Sequence, residues 1–489
     1  MDYPLLIDSY AKGRDVQGWP RQRVLHECLR DAIRSGKLAA GTRLLASRAL
    51  ASELGVARNT VLYAYDQLAT EGYIQPDRRG TRVSHMCAAS PADAAPPLLA
   101  TMSRRATGMR VLVDAAGLTG GFAPGVPALD EFPVTVWRRM LDRAWRAASV
   151  AALNYGDPRG ETLLRTALAD HLRAARGAEC DASQVFITAG TQASLDLCAR
   201  AFADAGDKVW IENPGYAGAL AALRSAQLKP IGIPTDEQGI NPSAADWRRQ
   251  RPKLIYTTPS HQYPTGAILS LERRLALIAH ARAAGALIIE DDYDSEFRHD
   301  GPPLPAMQGL APDAPVVYLG TFSKTMFPSL RIGFMVVPRA LVEPLRVLLA
   351  RSVHCGRTAE QLALAQFLRD GQFALHLRRM RRLYRQRRDA LVAALEQHMG
   401  DAGSVHGGSA GMHLAFQLHD ARLSDLALSD EALQRGIVAP ALSMHATGAR
   451  ANGWNGFLLG YAQVPAAQID GLVRTLAKLV HRAARTLAS

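Results

Sequence analysis

Long apolar runs are missing from this 489-residue chain: none approaches the ~18 to 20 residues that a membrane span requires. The first residues, Met1-Asp2-Tyr3-Pro4, carry acid and proline where a secretory leader needs basic residues and an apolar core, so a cytoplasmic protein is expected. Cysteine is scarce. Cys28, Cys87, Cys180, Cys198 and Cys355 are odd in number and scattered without Cys-x-x-Cys spacing, which argues against a disulfide framework and against a zinc site. Acid is in deficit: 45 Asp and Glu stand against 57 Lys and Arg, for a net charge of +12. That excess raises the prior for a polyanionic partner, although enzymes of anionic metabolites share it.

What is present is a soluble, globular composition, 48% hydrophobic and 21% charged. The length suggests about three compact units. From Pro20 to Gly36, Leu25, Cys28, Leu29, Ala32 and Ile33 recur at helical spacing. A short helix fits Ser47 to Leu54, with Ser47 as its cap and Gly55 as the turn, and a third fits Arg58 to Glu71, burying Val61, Tyr65 and Leu68. Tyr73-Ile74 and Thr81-Arg82-Val83 then flank a polar tip, Gln75 to Gly80, as in a hairpin. Three helices, a tight turn between the last two and a basic hairpin describe a winged helix-turn-helix, which binds double-stranded DNA. Arg58, Asn59 and Thr60 open the third helix and would face base edges, while Arg43, Arg48, Arg78 and Arg79 would lie near phosphates. A small helical cap with a solvated basic face has the same periodicity.

Residues 21 to 84 resemble the DNA-binding domain of the GntR family, through Ile33 to Leu38, Gly41 to Leu44, Ser47 to Ala51, Leu54 to Val61, Leu68 to Tyr73 and Gly80-Thr81. The resemblance adds Gly80 to the DNA-binding set. Leu45 replaces a usual proline and Ala57 a usual serine, and losing that hydroxyl removes a helix cap of about 1 kcal/mol. The winged helix is thus expected over 1–84, a flexible linker over 85–110, where Ala88 to Pro97 is rich in alanine and proline, and a second domain over 111–489. Arg104, Arg105 and Arg110 end the linker.

From residue 111 onward, short apolar runs alternate with amphipathic helices, the signature of an α/β unit with a largely parallel sheet. Strands are expected at 184–188, 208–211, 254–257, 286–289 and 316–319, and sites in such folds gather at their carboxyl ends. Behind the first, Ala189-Gly190-Thr191-Gln192 opens a helix whose free amides suit a phosphate. Behind the second comes Tyr216, a ring able to stack on a flat heterocycle. His261-Gln262-Tyr263-Pro264-Thr265-Gly266 follows the third, and Glu290-Asp291-Asp292-Tyr293 the fourth. The fifth runs into Gly320 to Gly333, where Lys324 sits among hydroxyl residues with Arg331 seven positions on. A lysine amine bonds carbonyl compounds and an arginine fork pairs with phosphate, so the set suits an aldehyde cofactor bearing a phosphate, such as pyridoxal 5'-phosphate. Each residue also has a plain reading: Gly190 as helix entry, Tyr216 as packing, His261 as a core histidine, Asp291 as a surface acid. Arg378 to Arg388 is expected to be a solvated helix face, with Leu383 and Leu391 inward.

Phe122 to the C-terminus resembles the fold type I pyridoxal phosphate aminotransferases, which implies large and small subdomains and a homodimer. The resemblance makes Lys324 the Schiff-base lysine, Asp291 the partner of the ring nitrogen, Tyr293 the donor to the phenolic oxygen and Tyr216 the stacking ring. Thr321, Ser323 and Arg331, with the amides of Gly190 and Thr191, become phosphate ligands. Tyr155, in Asn154-Tyr155-Gly156-Asp157-Pro158-Arg159-Gly160, would reach the partner subunit's phosphate. Two departures bear on ligands. Tyr263 stands where an asparagine is common, so His261 or Gln262 takes over its contact to the cofactor's oxygen. The usual arginine for a substrate carboxylate is missing from Gly453 to Tyr461, with Arg450 nearest.

A GntR-type winged helix joined to such a domain is similar to the MocR family of transcriptional regulators, as are Thr258 to Gly266, Glu290 to Arg298 and Gly320 to Gly333. What this implies is a dimeric regulator holding pyridoxal phosphate as an internal aldimine. Its effector, the cofactor itself or an amino compound, would alter operator affinity. The alternatives are a working transaminase with an accessory DNA-binding domain, and a DNA-binding protein whose second domain has lost its cofactor.

Overall fold

The computed structural model describes residues 1–77, 80–85, 103, 120–301, 304–352, 356–447 and 453–488. The chain divides into two compact units, Met1–Met102 and Ser103–Ser489. No helix among the described residues is long and apolar enough to cross a membrane.

In the first unit, helices Tyr3–Lys12, Arg21–Arg34, Ser47–Leu54 and Arg58–Thr70 precede a hairpin of Ile74–Asp77 with Gly80–Val83. Tyr3–Lys12 is a helix that the sequence reading passed over. Asp2 caps it, accepting from the Leu5 amide at 2.9 Å, and Tyr3 and Tyr10 are buried. Leu25, Leu29, Ile33, Leu50, Val61 and Leu68 form the core. Gly55, at φ 63°, adopts the left-handed turn that ends the third helix. Ser47 is not the cap expected of it: Ala46 holds that position without a side-chain bond, and the Ser47 hydroxyl instead accepts from Arg58 Nε at 3.4 Å. Ala57 caps the fourth helix, also without a side-chain bond. The hairpin is longer than expected, because Gln75, Pro76 and Asp77 pair with Arg82, Thr81 and Gly80.

The second unit is built on an eight-stranded sheet. Its order is Val185–Thr188, Gly333–Val336, Val316–Thr321, Leu287–Asp292, Leu254–Thr257, Lys208–Asn213, Lys229–Asp236 and Gly239–Ile240. Gly333–Val336 runs antiparallel to both neighbours and Gly239–Ile240 to its one, while the other six strands share a direction. All five expected strands are among these six. Their ends at Thr188, Asn213, Thr257, Asp292 and Thr321 therefore line one edge, as parallel α/β topology requires. Leu254–Thr257 and Val316–Thr321 are buried at every position because helices cover both faces. Ile211, Tyr256 and Val317 pack with Leu195 and Leu223 on one side, and Trp210, Ile255 and Ile288 with Leu277 and Ile278 on the other.

A smaller antiparallel sheet, Gly403–His406, His413–Leu418 and Gly456–Gly460, packs with helices Gln372–Met399 and Ala466–Ala488 through Leu391, Leu395, Phe416, Phe457 and Val473. The arginine-rich face of Gln372–Met399 is not simply solvated. Arg381, Arg385 and Arg388 donate to the carbonyls of Glu296, His299 and Gly408 at 2.6, 2.5 and 2.6 Å, and buried Arg387 donates to that of Ala462. Leu391 points inward as expected. Tyr384 is fully buried beside half-buried Leu383, and its hydroxyl oxygen accepts from the Ala128 amide at 3.0 Å.

Candidate functional site

The sheet edge and the small sheet enclose a cavity of about 430 Å³. Lys324 enters it from the turn after Val316–Thr321, its Nζ donating to the Gly125 carbonyl at 2.8 Å. Protein surrounds this amine even though the side chain keeps some access from the cavity. That enclosure pushes its pKa down, against the pull of Asp294 and Asp291, which favours the unprotonated nucleophile. A side chain at Gly125, whose φ is 73°, would place its Cβ 2.7 Å from the amine, so glycine there keeps the lysine's space open.

Asp291 is the penultimate residue of the strand Leu287–Asp292 and is 3% exposed. Its Oδ2 accepts from the Tyr256 hydroxyl at 2.8 Å, while Oδ1 is buried without a partner. Burial pushes its pKa up to about 7. An orphaned carboxylate oxygen in the cavity wall fits a cationic N–H donor such as a pyridinium. The sequence places Tyr256 in an expected strand but assigns it no role at the site. A Tyr256→Phe variant is expected to lose about 1–3 kcal/mol by leaving the second Asp291 oxygen unpaired, read as a lower denaturant midpoint of the larger unit.

Thr191, Thr321, Ser323 and Arg331 also line the cavity. Thr191 begins the eleven-residue helix Thr191–Ala201, and its Oγ1 is buried without a partner. Gly190 caps that helix at φ 99°, and a Cβ there would lie 3.8 Å from Arg331 Nη1. Arg331 is itself left-handed at φ 50°, and no acid pairs with its guanidinium among the described residues. A helix N-terminus, an orphaned hydroxyl and an arginine without an acid partner fit a phosphate. The donor set therefore suits pyridoxal phosphate at both ends: an acid for its ring nitrogen and an anion cradle for its phosphate.

Tyr216 and Tyr293 line the cavity as well. Tyr216 precedes helix Ala217–Ser225 and packs edge-on against Tyr263, ring centroids 5.5 Å apart. The Tyr293 hydroxyl donates to the His261 carbonyl at 3.0 Å. His261 and Gln262 stand behind the wall. Gln262 is spent on the carbonyls of Pro214 and Tyr263 and on Thr265, and His261 Nδ1 meets Asp294 at 3.0 Å, so Tyr263 is the residue of that turn that lines the cavity. Tyr155 is 83% exposed and lies outside the lining. Asp294, Met412, His413, Met444 and His445 line it too, and of these five only Asp294 lies in a stretch singled out from the sequence. Arg450 lies outside the described residues.

In the first unit Arg43, Arg48, Arg58 and Asn59 are exposed and Thr60 half-buried, with Arg58, Asn59 and Thr60 forming the first turn of their helix. Arg43 bridges Arg82 at the hairpin, and a Cβ at Gly80, φ 130°, would sit 2.9 Å from Arg43 Nε. Arg78 and Arg79 lie outside the described residues.

Residues 21–83 match the family described as bacterial regulatory proteins, gntR family, and residues 121–476 match aminotransferase class I and II, a family dependent on pyridoxal phosphate. The chain is 41% identical over 85% of its length to a probable rhizopine catabolism regulatory protein, MocR, of Rhizobium meliloti, covering 84% of it. It is 34% identical to the pyridoxine biosynthesis transcriptional regulator PdxR of Corynebacterium glutamicum, over 89% of this chain and 91% of that one. Among solved structures it is similar to LysN, an α-aminoadipate aminotransferase of Thermus thermophilus complexed with a phosphopyridoxyl-leucine, at 27% identity and a TM-score of 0.71, over 79% of this chain and 98% of that one. With both family matches in one chain and such identity along most of its length, the protein belongs to the MocR-type transcriptional regulators, in which a GntR winged helix is fused to a fold type I aminotransferase-like domain.

Proposed function

We propose that this protein is a homodimeric regulator that holds pyridoxal phosphate in the cavity around Lys324 and responds there to a small amino compound or to the cofactor itself. The orphaned Oδ1 of Asp291, in the same cavity as Lys324 and Arg331, is the observation that carries this reading. When bound, pyridoxal phosphate supplies an aldehyde carbon that takes up amines. Lys324 would hold that carbon, Asp291 the ring nitrogen, Tyr293 the phenolic oxygen and Tyr216 a ring face. Thr191, Thr321, Ser323, Arg331 and the amides of Gly190 and Thr191 would hold the phosphate. The exposure of Tyr155 supports its assignment to the phosphate of the partner subunit. Apo-protein titrated with pyridoxal phosphate is expected to gain the visible band of a lysine-bound pyridoxal; a chain that stays colourless contradicts the proposal.

The winged helix would bind double-stranded operator DNA through Arg58, Asn59 and Thr60 at base edges and Arg43, Arg48, Arg78, Arg79 and Gly80 along the backbone. Arg58→Ala is expected to cost about 1–3 kcal/mol of operator binding and to relax base preference, as measured by mobility shift on the operator and on its single-base variants. Equal affinity for all of these would move recognition off this helix. Because Arg58 also touches Ser47, the thermal midpoint of the variant serves as the folding control.

A further inference from the structure

The lining of the cavity also constrains what the effector can be. Among the described residues that line it, the cationic side chains are Lys324 and Arg331, and the reading above commits both to the cofactor. His413 and His445 are 1% and 5% exposed. Burial holds His413 well below the usual imidazole range and pushes His445 down to about 4, so both rings are neutral at neutral pH. His413 Nε2 is buried without a hydrogen-bond partner, and His445 has at most the Gly215 backbone to bond, which leaves a ring nitrogen open. A neutral imidazole offers one donor and one acceptor, which a hydroxyl group answers in either sense. A carboxylate needs a cation or several donors once it is out of water, and here it would meet neutral imidazoles beside Met412, Met444 and Tyr263.

Resting on the cofactor reading, we infer that the effector is a small amino compound that carries hydroxyl groups and no carboxylate, with its hydroxyls paired to His413 and His445. The cavity thereby selects against α-amino acids, whose common aminotransferase partner, an arginine before the last small-sheet strand, is absent from Gly453 to Gly460.

The test uses the full-length, cofactor-loaded protein and titration calorimetry with matched pairs: serinol against serine, and an aminocyclohexanol against the corresponding aminocyclohexanecarboxylate. The hydroxylated member of each pair is expected to bind at least about tenfold more tightly. His445→Leu should narrow that ratio and His445→Gln, which keeps hydrogen-bonding atoms, should recover part of it. Arg450→Ala should leave it unchanged. Equal binding within the pairs, or tighter binding of the carboxylates, overturns the inference while leaving the cofactor reading intact. Absence of the visible cofactor band overturns both, so the two failures are told apart by colour before any ligand is added.

Discussion

Lys324→Ala will abolish the borohydride-trapped adduct between this protein and pyridoxal phosphate, and with it the visible band of the lysine-bound form. The effect should be complete, because Lys324 is the one lysine among the described residues lining the cavity. Its chemistry depends on position. Burial lowers the pKa of the amine while Asp294 and Asp291 pull it back up, and the net lowering favours the unprotonated nucleophile. The variant should keep its fold. The lysine makes one hydrogen bond, to the Gly125 carbonyl, and removing it enlarges a cavity that is already open, so the loss of stability should stay within about 1 kcal/mol. Cofactor should still bind weakly and reversibly, because Asp291, Arg331 and Thr191 remain, and dialysis should then strip it from the variant but not from the parent. An adduct that persists in Lys324→Ala would put the covalent bond on another lysine.

How much of this was legible from sequence depended on how local each signal is. The five expected strands carry continuous apolar runs, and the polar residue after each run marks the sheet edge. Lys229–Asp236 escaped because Pro230, Gly232 and Pro234 interrupt its pattern, and Gly333–Val336 because only long-range pairing reveals that it slots antiparallel between the first and fifth expected strands. The helix Tyr3–Lys12 was overlooked despite a readable Tyr3, Leu6, Ile7, Tyr10 spacing. Arg381, Arg385, Arg387 and Arg388 read as a solvated face because periodicity cannot see carbonyls contributed by residues 296, 299, 408 and 462. The cavity divides in the same way. Its residues at strand ends were legible, whereas Tyr256 faces Asp291 from the neighbouring strand, and His413 and His445 reach the cavity from the distant segment that carries the small sheet.

The arginine beneath the strand end that carries Asp291 should matter most for stability. Arg176, the last residue of helix Thr162–Arg176, places Nη2 2.7 Å from Asp292 Oδ2, with side chains 3% and 1% exposed. The same guanidinium donates to Ser260 Oγ at 2.9 Å and to the Leu304 carbonyl, while Tyr318 donates to Asp292 Oδ2 at 2.6 Å. Burial opposes the guanidinium's charge, yet Asp292, Tyr318, Glu290 and Glu296 outweigh it and hold the group protonated. Glu290, two residues before Asp292 on the strand, is pushed by burial up to about 7, so this strand end has little capacity for further uncompensated charge. Arg176→Met removes the cation from beside a fully enclosed carboxylate, and such losses cost about 3–5 kcal/mol. The denaturant transition of the larger unit should shift down accordingly. Adding Asp292→Asn to Arg176→Met should recover much of that loss, since a neutral amide can keep the Tyr318 bond without needing a counter-ion. The single variant should also bind pyridoxal phosphate less tightly, because Asp291 is held by the backbone next to the residue that has lost its partner. If Arg176→Met shifts the transition by less than about 1 kcal/mol, or the double variant is no more stable than the single, the ion pair is not what fixes this strand end.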